Sequence, residues 1–346
     1  MRDPATKVLV NCMSFTRGTL GGLSLLAAGV PNDVYVLRHG TRGWLLDGLE
    51  LEIGADRFAP PPSDAAIAAA QSRVARIAGR AGLTRIDAAT LARWQGETGR
   101  TTYLFDVRTV DEFAAGHLPG SRNAPEESII MSPDRFFATR NARIVLIDDD
   151  SVRATVTALW LAQMGWGEIA VLRDGLRGTL AFGAAPAPPR VDTSVDTMVL
   201  SAPALNRLRA ERSVRVIDVG ASDAYVEGHI PGTLWCSRPA LGALLMDRPH
   251  DGMSVLTSQD GELAALAAAG LDLPVLDGGN AAWRDAGLAM KGGAENMAGP
   301  RDDHWLASSE RPGDTRRNVQ DYLDWELGLL ADIEASGDMP FRNLIR

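Results

Sequence analysis

The sequence has little that would let it form a disulfide framework or cross a membrane. It contains two cysteines among 346 residues, and these cannot make the several disulfide bonds that hold small secreted domains together. Its longest mostly apolar stretch, residues 19–30, is too short to span a bilayer, and its first residues form no apolar signal core. We therefore expect a reduced protein of the cytoplasm that has no membrane partner.

Positive charge is also scarce. Lys and Arg number 35 against 44 Asp and Glu, which gives a formal net charge of −9. Because neutralising nucleic-acid phosphates needs a surplus of basic side chains, we expect no nucleic-acid partner. No Cys/His cluster has zinc-ligand spacing, so we expect no metal. The 45% hydrophobic and 23% charged residues are typical of globular protein, and the length allows two or three domains.

A first motif occurs twice. Asp106 is followed ten residues later by Gly-His-Leu-Pro-Gly at 116–120, and the same offset separates Asp218 from Gly-His-Ile-Pro-Gly at 228–232. An identical offset in two places indicates an internal repeat.

A second motif occurs three times. Leu37, Leu172 and Leu276 each begin one copy. In each copy a glycine follows three residues after the leucine, another motif position lies four residues further on, and a second glycine lies four residues after that. The chain therefore holds three versions of one C-terminal half-unit, whereas the first motif shows only two versions of the N-terminal half-unit.

Proline-rich segments separate these repeats, because proline fixes φ and disfavours helix in the residue before it. Prolines cluster at 60–62 and at 186–189. After the first cluster, Ser63 is a plausible N-cap for an alanine-rich helix. The predicted organisation is a half-unit at 1–58, a linker and helix at 59–80, a full unit at 81–185, a linker at 186–194, a full unit at 195–291 and a tail with a helix at 292–346.

Within each full unit, short β-branched runs alternate with helical periods. The predicted strands are 103–106, 144–147 and 169–172 in one unit and 215–218, 254–257 and 275–276 in the other. This alternation predicts an α/β fold, with parallel strands joined by crossover helices. In the tail, apolar residues at helical spacing over 319–333 predict an amphipathic helix that ends at Gly337 and packs on the third unit; the alternative is a partner-binding helix.

Cys12 lies between a predicted strand at 8–11 and a predicted helix at 17–28. A thiol there meets the positive end of the helix dipole, free backbone N–H groups and Arg17, all of which favour the thiolate. The alternative is a small buried hydrophobic residue, which most lone cysteines are. Cys236 is not followed by such a loop, and we expect it to be structural.

Other residues of the two motifs are interpreted as structural. His117 and His229 lie in the Gly-His-x-Pro-Gly turns, where they more often hold backbone or core contacts than act as bases. Trp44 and Trp283, which belong to the second motif, are predicted to be core rings.

Taken together, the motifs resemble rhodanese homology domains in tandem. The resemblance covers residues 5–52 as half a domain and 84–185 and 195–291 as nearly whole domains. It implies α/β domains with central parallel sheets and, in active members, transfer of sulfane sulfur through a cysteine persulfide with no metal or organic cofactor. By position, Cys12 matches the sulfur-accepting cysteine and Arg17 the arginine that closes the loop. The resemblance assigns substrate binding to Met13, Ser14, Phe15, Thr16 and Gly18.

The equivalent loops of the other two units are degenerate. Asp148 takes the cysteine position of the middle unit, where Arg153 remains, and Ser258 takes it in the third unit, where Leu263 replaces the arginine. An aspartate cannot hold a sulfane sulfur, and an unactivated serine is not a nucleophile at neutral pH. We expect both loops to be inactive. The three adjacent carboxylates at 148–150 could bind a cation, but solvated loop charges are the commoner explanation.

The loop from Cys12 to Arg17 has six residues, the length that the family uses for sulfur transfer, whereas related phosphatases use one more. The resulting hypothesis is a sulfurtransferase that moves sulfane sulfur from thiosulfate or a persulfide, including a protein persulfide, to a thiol or cyanide acceptor. The alternative is a non-catalytic binding or scaffold protein whose domains recognise a partner of sulfur metabolism.

The first unit lacks the strands that would flank the cysteine strand in a whole domain, and half a parallel sheet is poorly covered. Either the chain is a shortened form of a longer repeat protein, or the half-unit is completed by docking on the other units. A partner protein or self-association through this incomplete unit is a further possibility.

Overall fold

The structure is a computed structural model that describes residues 3–184, 198–338 and 341–344. The chain divides into two compact units, the first formed by Met1–Pro186 with Ser308–Arg346 and the second by Ala187–Ala307. The predicted linker at 186–194 lies outside the described residues. Within the described ranges, no helix combines the length and the apolar character that crossing a bilayer requires.

The first unit begins with a two-stranded sheet and its helices. These elements are β1 (Val8–Val10), α1 (Thr16–Ala27), β2 (Val34–Val36), α2 (Gly40–Leu46) and the long helix α3 (Asp64–Ala81). β1 and β2 are parallel, with Val8 opposite Val34. Ser63 caps α3 by accepting a hydrogen bond from the N–H of Ala66 at 3.3 Å, as the sequence predicts.

The first unit continues with a five-stranded sheet. Its elements are β3 (Thr84–Ile86), α4 (Ala88–Gly96), β4 (Thr102–Asp106), α5 (Val110–Ala114), β5 (Arg122–Asn123), α6 (Glu126–Met131), a 3-10 helix at Pro133–Arg135, β6 (Arg143–Ile147), α7 (Val152–Gln163) and β7 (Glu168–Leu172). All pairings in the order β3-β7-β6-β4-β5 are parallel. β6 is almost wholly buried, because helices cover both faces of the sheet.

The second unit repeats this arrangement. Its elements are β8 (Val199–Leu200), α8 (Ala202–Glu211), β9 (Val214–Asp218), α9 (Ser222–Glu227), β10 (Leu234–Trp235), a 3-10 helix at Arg238–Ala240, α10 (Leu241–Asp247), β11 (Met253–Thr257), α11 (Glu262–Ala268), β12 (Val275–Leu276) and α12 (Gly279–Asp285). The parallel order β10-β9-β11-β12-β8 is the order of the other five-stranded sheet. The predicted α/β fold, its tandem repeat and the position of each predicted strand are confirmed.

The two-stranded sheet corresponds to two neighbouring strands of each five-stranded sheet. β1 and β2 correspond to β6 and β7 and to β11 and β12, which are neighbours in the complete sheets. β6 is bordered by β4 and β7, whereas β1 pairs with β2 alone among the described strands. As a result Leu9 is 61% exposed, while Val145, at the same place on β6, is fully buried.

This incompleteness overturns the prediction that Trp44 is a core ring. Trp283 is buried against Leu205 of α8, an element of the N-terminal half-unit. Among the described residues, no such helix packs on Trp44, whose ring is exposed and whose indole N–H donates to the carbonyl of Glu50 at 2.9 Å. The two histidines are structural, because the imidazoles of His117 and His229 stack on the rings four residues before them and contact those residues' carbonyl oxygens through Nδ1.

The tail forms the predicted helix, α13 (Thr315–Ser336), which ends at Gly337. The prediction that it packs on the third unit is wrong, because α13 belongs to the first compact unit and packs on α2. Val319 and Leu323 are buried there, whereas the later part of the apolar stripe stays exposed. An amphipathic pattern indicates which face of a helix is apolar but not which surface covers it.

The first glycine of the second motif makes the same close contact in all three repeats. A Cβ atom on Gly40 would lie 2.2 Å from the carbonyl oxygen of Cys12, and one on Gly279 would lie 2.1 Å from that of Ser258. The corresponding distance from Gly175 to the carbonyl oxygen of Asp148 is 2.6 Å. Only a residue without a side chain allows this approach, so the motif fixes the loop that carries the cysteine position.

We predict that Gly279→Ala destabilises the protein more than Gly287→Ala does. Both glycines have a positive φ, 58° and 70°, but a Cβ on Gly287 would meet no atom within 4 Å. Gly287→Ala should therefore cost only the left-handed backbone penalty of about 1–2 kcal/mol, and Gly279→Ala this penalty plus the clash with Ser258. Calorimetric melting of the two variants measures the difference, and equal melting temperatures would contradict the proposed contact.

Candidate active site

Three elements hold the Cys12 loop. Cys12 lies two residues after β1, and α1 begins at Thr16. The carbonyl oxygens of Cys12 and Met13 accept hydrogen bonds, each of 3.0 Å, from the N–H groups of Thr41 and Arg42 at the start of α2. The sulfur lies over the first turn of α1, since a Cβ on Gly18 would be 3.4 Å from Sγ. The thiol is therefore held at the positive end of α1.

The loop leaves backbone donors available at this point. Within the described part of the chain, the N–H groups of Met13, Ser14 and Phe15 donate to no protein acceptor. Such groups at a helix N-terminus are suited to an anion. A persulfide or thiolate on Cys12 would meet them.

The side chains of the loop are held from outside it. Arg17 forms an ion pair with Glu127 of α6. The hydroxyls of Ser14 and Thr16 donate to Oε1 of Glu326 on α13, at 3.4 and 3.3 Å. The predicted closing arginine, Arg17, therefore lies at the loop, but its positive charge is paired with the carboxylate of Glu127.

Cys12 opens into a cavity of about 250 Å³. Of the residues that the resemblance assigns, Cys12, Met13, Ser14, Thr16 and Arg17 line it, and Phe15 and Gly18 do not. This volume is below the usual 300–1,000 Å³ of pockets that bind drug-sized ligands. The space is therefore suited to a small substrate.

The cavity also contains residues that the sequence analysis missed, namely Arg42, Glu127, Met131, Tyr322 and Glu326. Arg42 is buried, its guanidinium lies 3.9 Å from the centre of the Tyr322 ring, and its Nε donates to Oγ of Ser308 at 3.2 Å. Its place two residues after the motif glycine Gly40 was a usable signal, because that glycine contacts the Cys12 loop. No signal placed Tyr322 and Glu326, since the sequence does not show where α13 packs.

In the middle unit, the side chain at the cysteine position is bound by backbone N–H groups that follow it in the chain. Asp148 is buried and accepts hydrogen bonds from the N–H groups of Ser151 and Ala154, at 2.7 and 3.0 Å. Burial raises the pKa of Asp148 to about 7, and the neighbouring carboxylate of Asp150 adds to this rise. Arg153 is bound by both carboxylate oxygens of Glu112 at 2.7 and 3.0 Å, which lowers the pKa of Glu112 to about 2.

The three adjacent aspartates of this loop bring carboxylate oxygens within 4.8 Å of one another. Asp149 pairs with Arg153 at 3.2 Å, and Asp150 accepts a hydrogen bond from the N–H of Val152 at 2.8 Å. Together with the bonds to Asp148, these contacts engage all three side chains within the loop.

The third loop is closed in the same manner. Ser258 is buried, and its Oγ accepts a hydrogen bond from the N–H of Ala264 at 3.2 Å. Ala264 and Ala154 are each six residues after the cysteine position, and the equivalent residue after Cys12 is Gly18. Cys236 lies away from any such loop, and burial raises its pKa to about 11, as expected of a structural thiol.

Comparison with known proteins identifies the fold. A family model described as a rhodanese-like domain matches residues 87–181. A crystal structure of a thiosulfate sulfurtransferase from Pseudomonas aeruginosa is 42% identical, with a TM-score of 0.83 over 98% of this chain. This chain spans 66% of the Pseudomonas chain, just under two thirds.

Two weaker similarities involve single domains. A protein of unknown function from Rhodopseudomonas palustris, described as a possible tyrosine phosphatase, is 23% identical over 32% of this chain and all of its own, with a TM-score of 0.27. A rhodanese-like domain protein from Staphylococcus aureus is 20% identical over 28% of this chain and 99% of its own, with a TM-score of 0.25. No curated protein matches the chain at a significant level.

The buried Asp148 predicts a specific pH dependence of stability. Its pKa is about 7 in the folded protein and near 3.8 ordinarily, so the folded state holds a proton that the unfolded chain releases between these values. Asp148 therefore contributes stability that is lost as the pH rises from about 4 to about 7. Urea unfolding should show a smaller loss over this range in Asp148→Asn than in the wild type.

Glu112→Gln is the matched control. The pKa of Glu112 is lowered to about 2 from 4.5, so its contribution is present above about 4.5 and is lost only as the pH falls below that value. This variant should keep the wild-type pH dependence between about pH 5 and about pH 8. The same slope in Asp148→Asn and the wild type would disprove the assignment.

Proposed function

The chain belongs to the rhodanese-like proteins, and we propose that it is a sulfurtransferase that carries sulfane sulfur as a persulfide on Cys12. One observation carries this proposal. Of the three equivalent loops, the Cys12 loop alone presents a nucleophile to a cavity, while Asp148 and Ser258 are buried and bonded to their own loops.

The reaction divides into two displacements at sulfur. The Cys12 thiolate attacks the outer sulfur of thiosulfate, a bond forms between Sγ and that sulfur, and sulfite leaves with the electron pair of the broken S–S bond. An acceptor thiolate or cyanide then attacks the outer sulfur of the persulfide, and Cys12 leaves as the thiolate. The loop N–H groups stabilise the anionic persulfide between the two steps.

The site and the comparison both support thiosulfate as the donor. The Pseudomonas protein is a thiosulfate sulfurtransferase, and a cavity of about 250 Å³ suits a donor of that size. A small persulfide is the other donor that the chemistry allows. Neither step requires a metal or an organic cofactor.

We predict that thiosulfate loads one sulfur atom onto the protein through Cys12. Intact mass spectrometry should show a gain of one sulfur in the wild type and in Cys236→Ser, because Cys236 is buried. Cys12→Ser should show no gain, and cyanide should remove the sulfur from the loaded protein.

The main alternative is that the chain is a non-catalytic scaffold whose two complete units recognise a partner of sulfur metabolism. The buried carboxyl and hydroxyl groups at the cysteine positions of those units favour it. An unloaded wild type, under conditions that load a known sulfurtransferase, would refute the enzymatic proposal and leave the scaffold. Loading that needs Cys12 would reject a purely structural role.

We further propose that the chain self-associates through the free edge of β1. The support is the 61% exposure of Leu9 on a strand whose equivalents are bordered on both sides, since exposed strand edges pair with other chains.

Leu9→Lys should therefore lower the molar mass measured by light scattering from dimer to monomer, because a charge at the edge opposes pairing. Ile53→Lys is the control, because Ile53 is 86% exposed and lies outside the strands; this variant should remain a dimer. A monomeric wild type would refute the proposal.

A cytoplasmic location is the last part of the proposal. Sulfur transfer needs Cys12 as a thiol, and both cysteines are free. A reducing compartment keeps them so, and cell fractionation would test the location.

A further inference from the structure

The Cys12 cavity contains a buried cation, Arg42. Arg42 is 8% exposed, and within the described residues it forms no ion pair with a carboxylate. Its Nε donates to Ser308, and its guanidinium lies over the Tyr322 ring. Its two Nη groups donate to no acceptor in the described part of the chain, and Arg42 lines the cavity that holds the nucleophile.

The two carboxylates of this cavity contact other side chains, although Oε2 of Glu326 is buried without a hydrogen-bond partner among the described residues. Glu127 pairs with Arg17, and Oε1 of Glu326 accepts the hydroxyls of Ser14 and Thr16. Burying a charge without a counterion is costly, and the contact with Tyr322 offsets only part of that cost. An anion that enters the cavity would offset the remaining cost of burying the guanidinium charge.

The backbone fixes Arg42 relative to Cys12. The N–H of Arg42 donates to the carbonyl of Met13 at 3.0 Å, and Gly40 of the same helix turn is pressed against the carbonyl of Cys12. The backbone of Arg42 is therefore fixed beside the loop that carries Cys12. Ser308 and Tyr322, which orient it, are positioning residues.

The equivalent positions of the other repeats lack this arrangement. Arg177, two residues after the motif glycine of the middle unit, has a side chain that is 82% exposed and pairs with Asp174 at 3.4 Å. The third unit has Ala281 there. Of the three positions, the one beside the cysteine alone carries a buried arginine that is free of a carboxylate.

We propose that Arg42 is the oxyanion subsite of the sulfur donor and binds the sulfonate end of a thiosulfate-type dianion while the outer sulfur faces Cys12. This proposal rests on the sulfurtransferase function. The planar guanidinium can donate two parallel hydrogen bonds to sulfonate oxygens. As the Sγ–S bond forms and the donor S–S bond breaks, the departing sulfite keeps both electrons, and Arg42 offsets its growing negative charge.

The test compares two donors on the full chain. Thiosulfate has a sulfonate end, whereas benzyl hydropersulfide gives its outer sulfur to Cys12 and leaves as a thiolate without any oxyanion group. In Arg42→Met, the thiosulfate concentration that half-loads Cys12 should rise about tenfold or more, and that of benzyl hydropersulfide should stay within about twofold. Arg177→Met is the matched control and should load from both donors as the wild type does.

Two results would overturn the subsite. One is an unchanged half-loading concentration for thiosulfate in Arg42→Met. The other is an equal rise for both donors, which would indicate that Arg42 only supports the loop. If Arg42→Met does not fold, as judged by circular dichroism, Arg42→Gln carries the same comparison with the same expected results.

A binding measurement separates this proposal from the sulfurtransferase function. Thiosulfate is titrated calorimetrically into Cys12→Ser and into the double variant Cys12→Ser with Arg42→Met. Binding that is at least about tenfold weaker in the double variant supports the subsite even if no donor loads the wild type. Equal binding to both variants refutes the subsite even if Cys12 is loaded normally.

Discussion

The close contact between a helix-start glycine and the carbonyl of the cysteine position is the constraint on which each repeat depends. Gly40, Gly175 and Gly279 all make it, and in the first repeat the N–H groups after Gly40 bind the loop carbonyls as well. This contact is made by backbone atoms of the loop, so the side chain at the cysteine position can change while the loop stays in place. The three loops therefore share one backbone geometry but carry a thiol, a carboxyl group and a hydroxyl group at the cysteine position.

The side chain at that position decides whether the loop can bind an anion. Asp148 and Ser258 each accept a hydrogen bond from the N–H six residues later, so their own oxygen occupies a donor at the start of the following helix. In the first loop the sulfur of Cys12 lies against Gly18 at the equivalent place. A cysteine is a weak acceptor, which leaves these donors for a charged sulfur. The loops of Asp148 and Ser258 are thus closed by their own side chains.

The sequence was sufficient for the features that short segments encode. The strands, the loop after β1 and the N-cap at Ser63 depend on neighbouring residues, and β-branched runs, helical periods and proline clusters located them. The position of α13, the exposure of Trp44 and the surroundings of Arg42 depend on which surfaces meet. Trp283 is buried by α8, which has no counterpart before β1 among the described residues. Periodicity and spacing carry no information about such long-range packing.

The incomplete first repeat obtains its site contacts from other parts of its compact unit. In the middle repeat, Arg153 is bound by Glu112 of α5, a helix of the same repeat. The equivalent Arg17 is bound by Glu127 of α6, and the tail supplies Glu326 to the loop and Tyr322 to Arg42. The Cys12 cavity therefore depends on the packing of α13 on α2, because α13 supplies two of its lining residues. A change that loosens α13 would alter the position of Arg42 before it altered either five-stranded sheet.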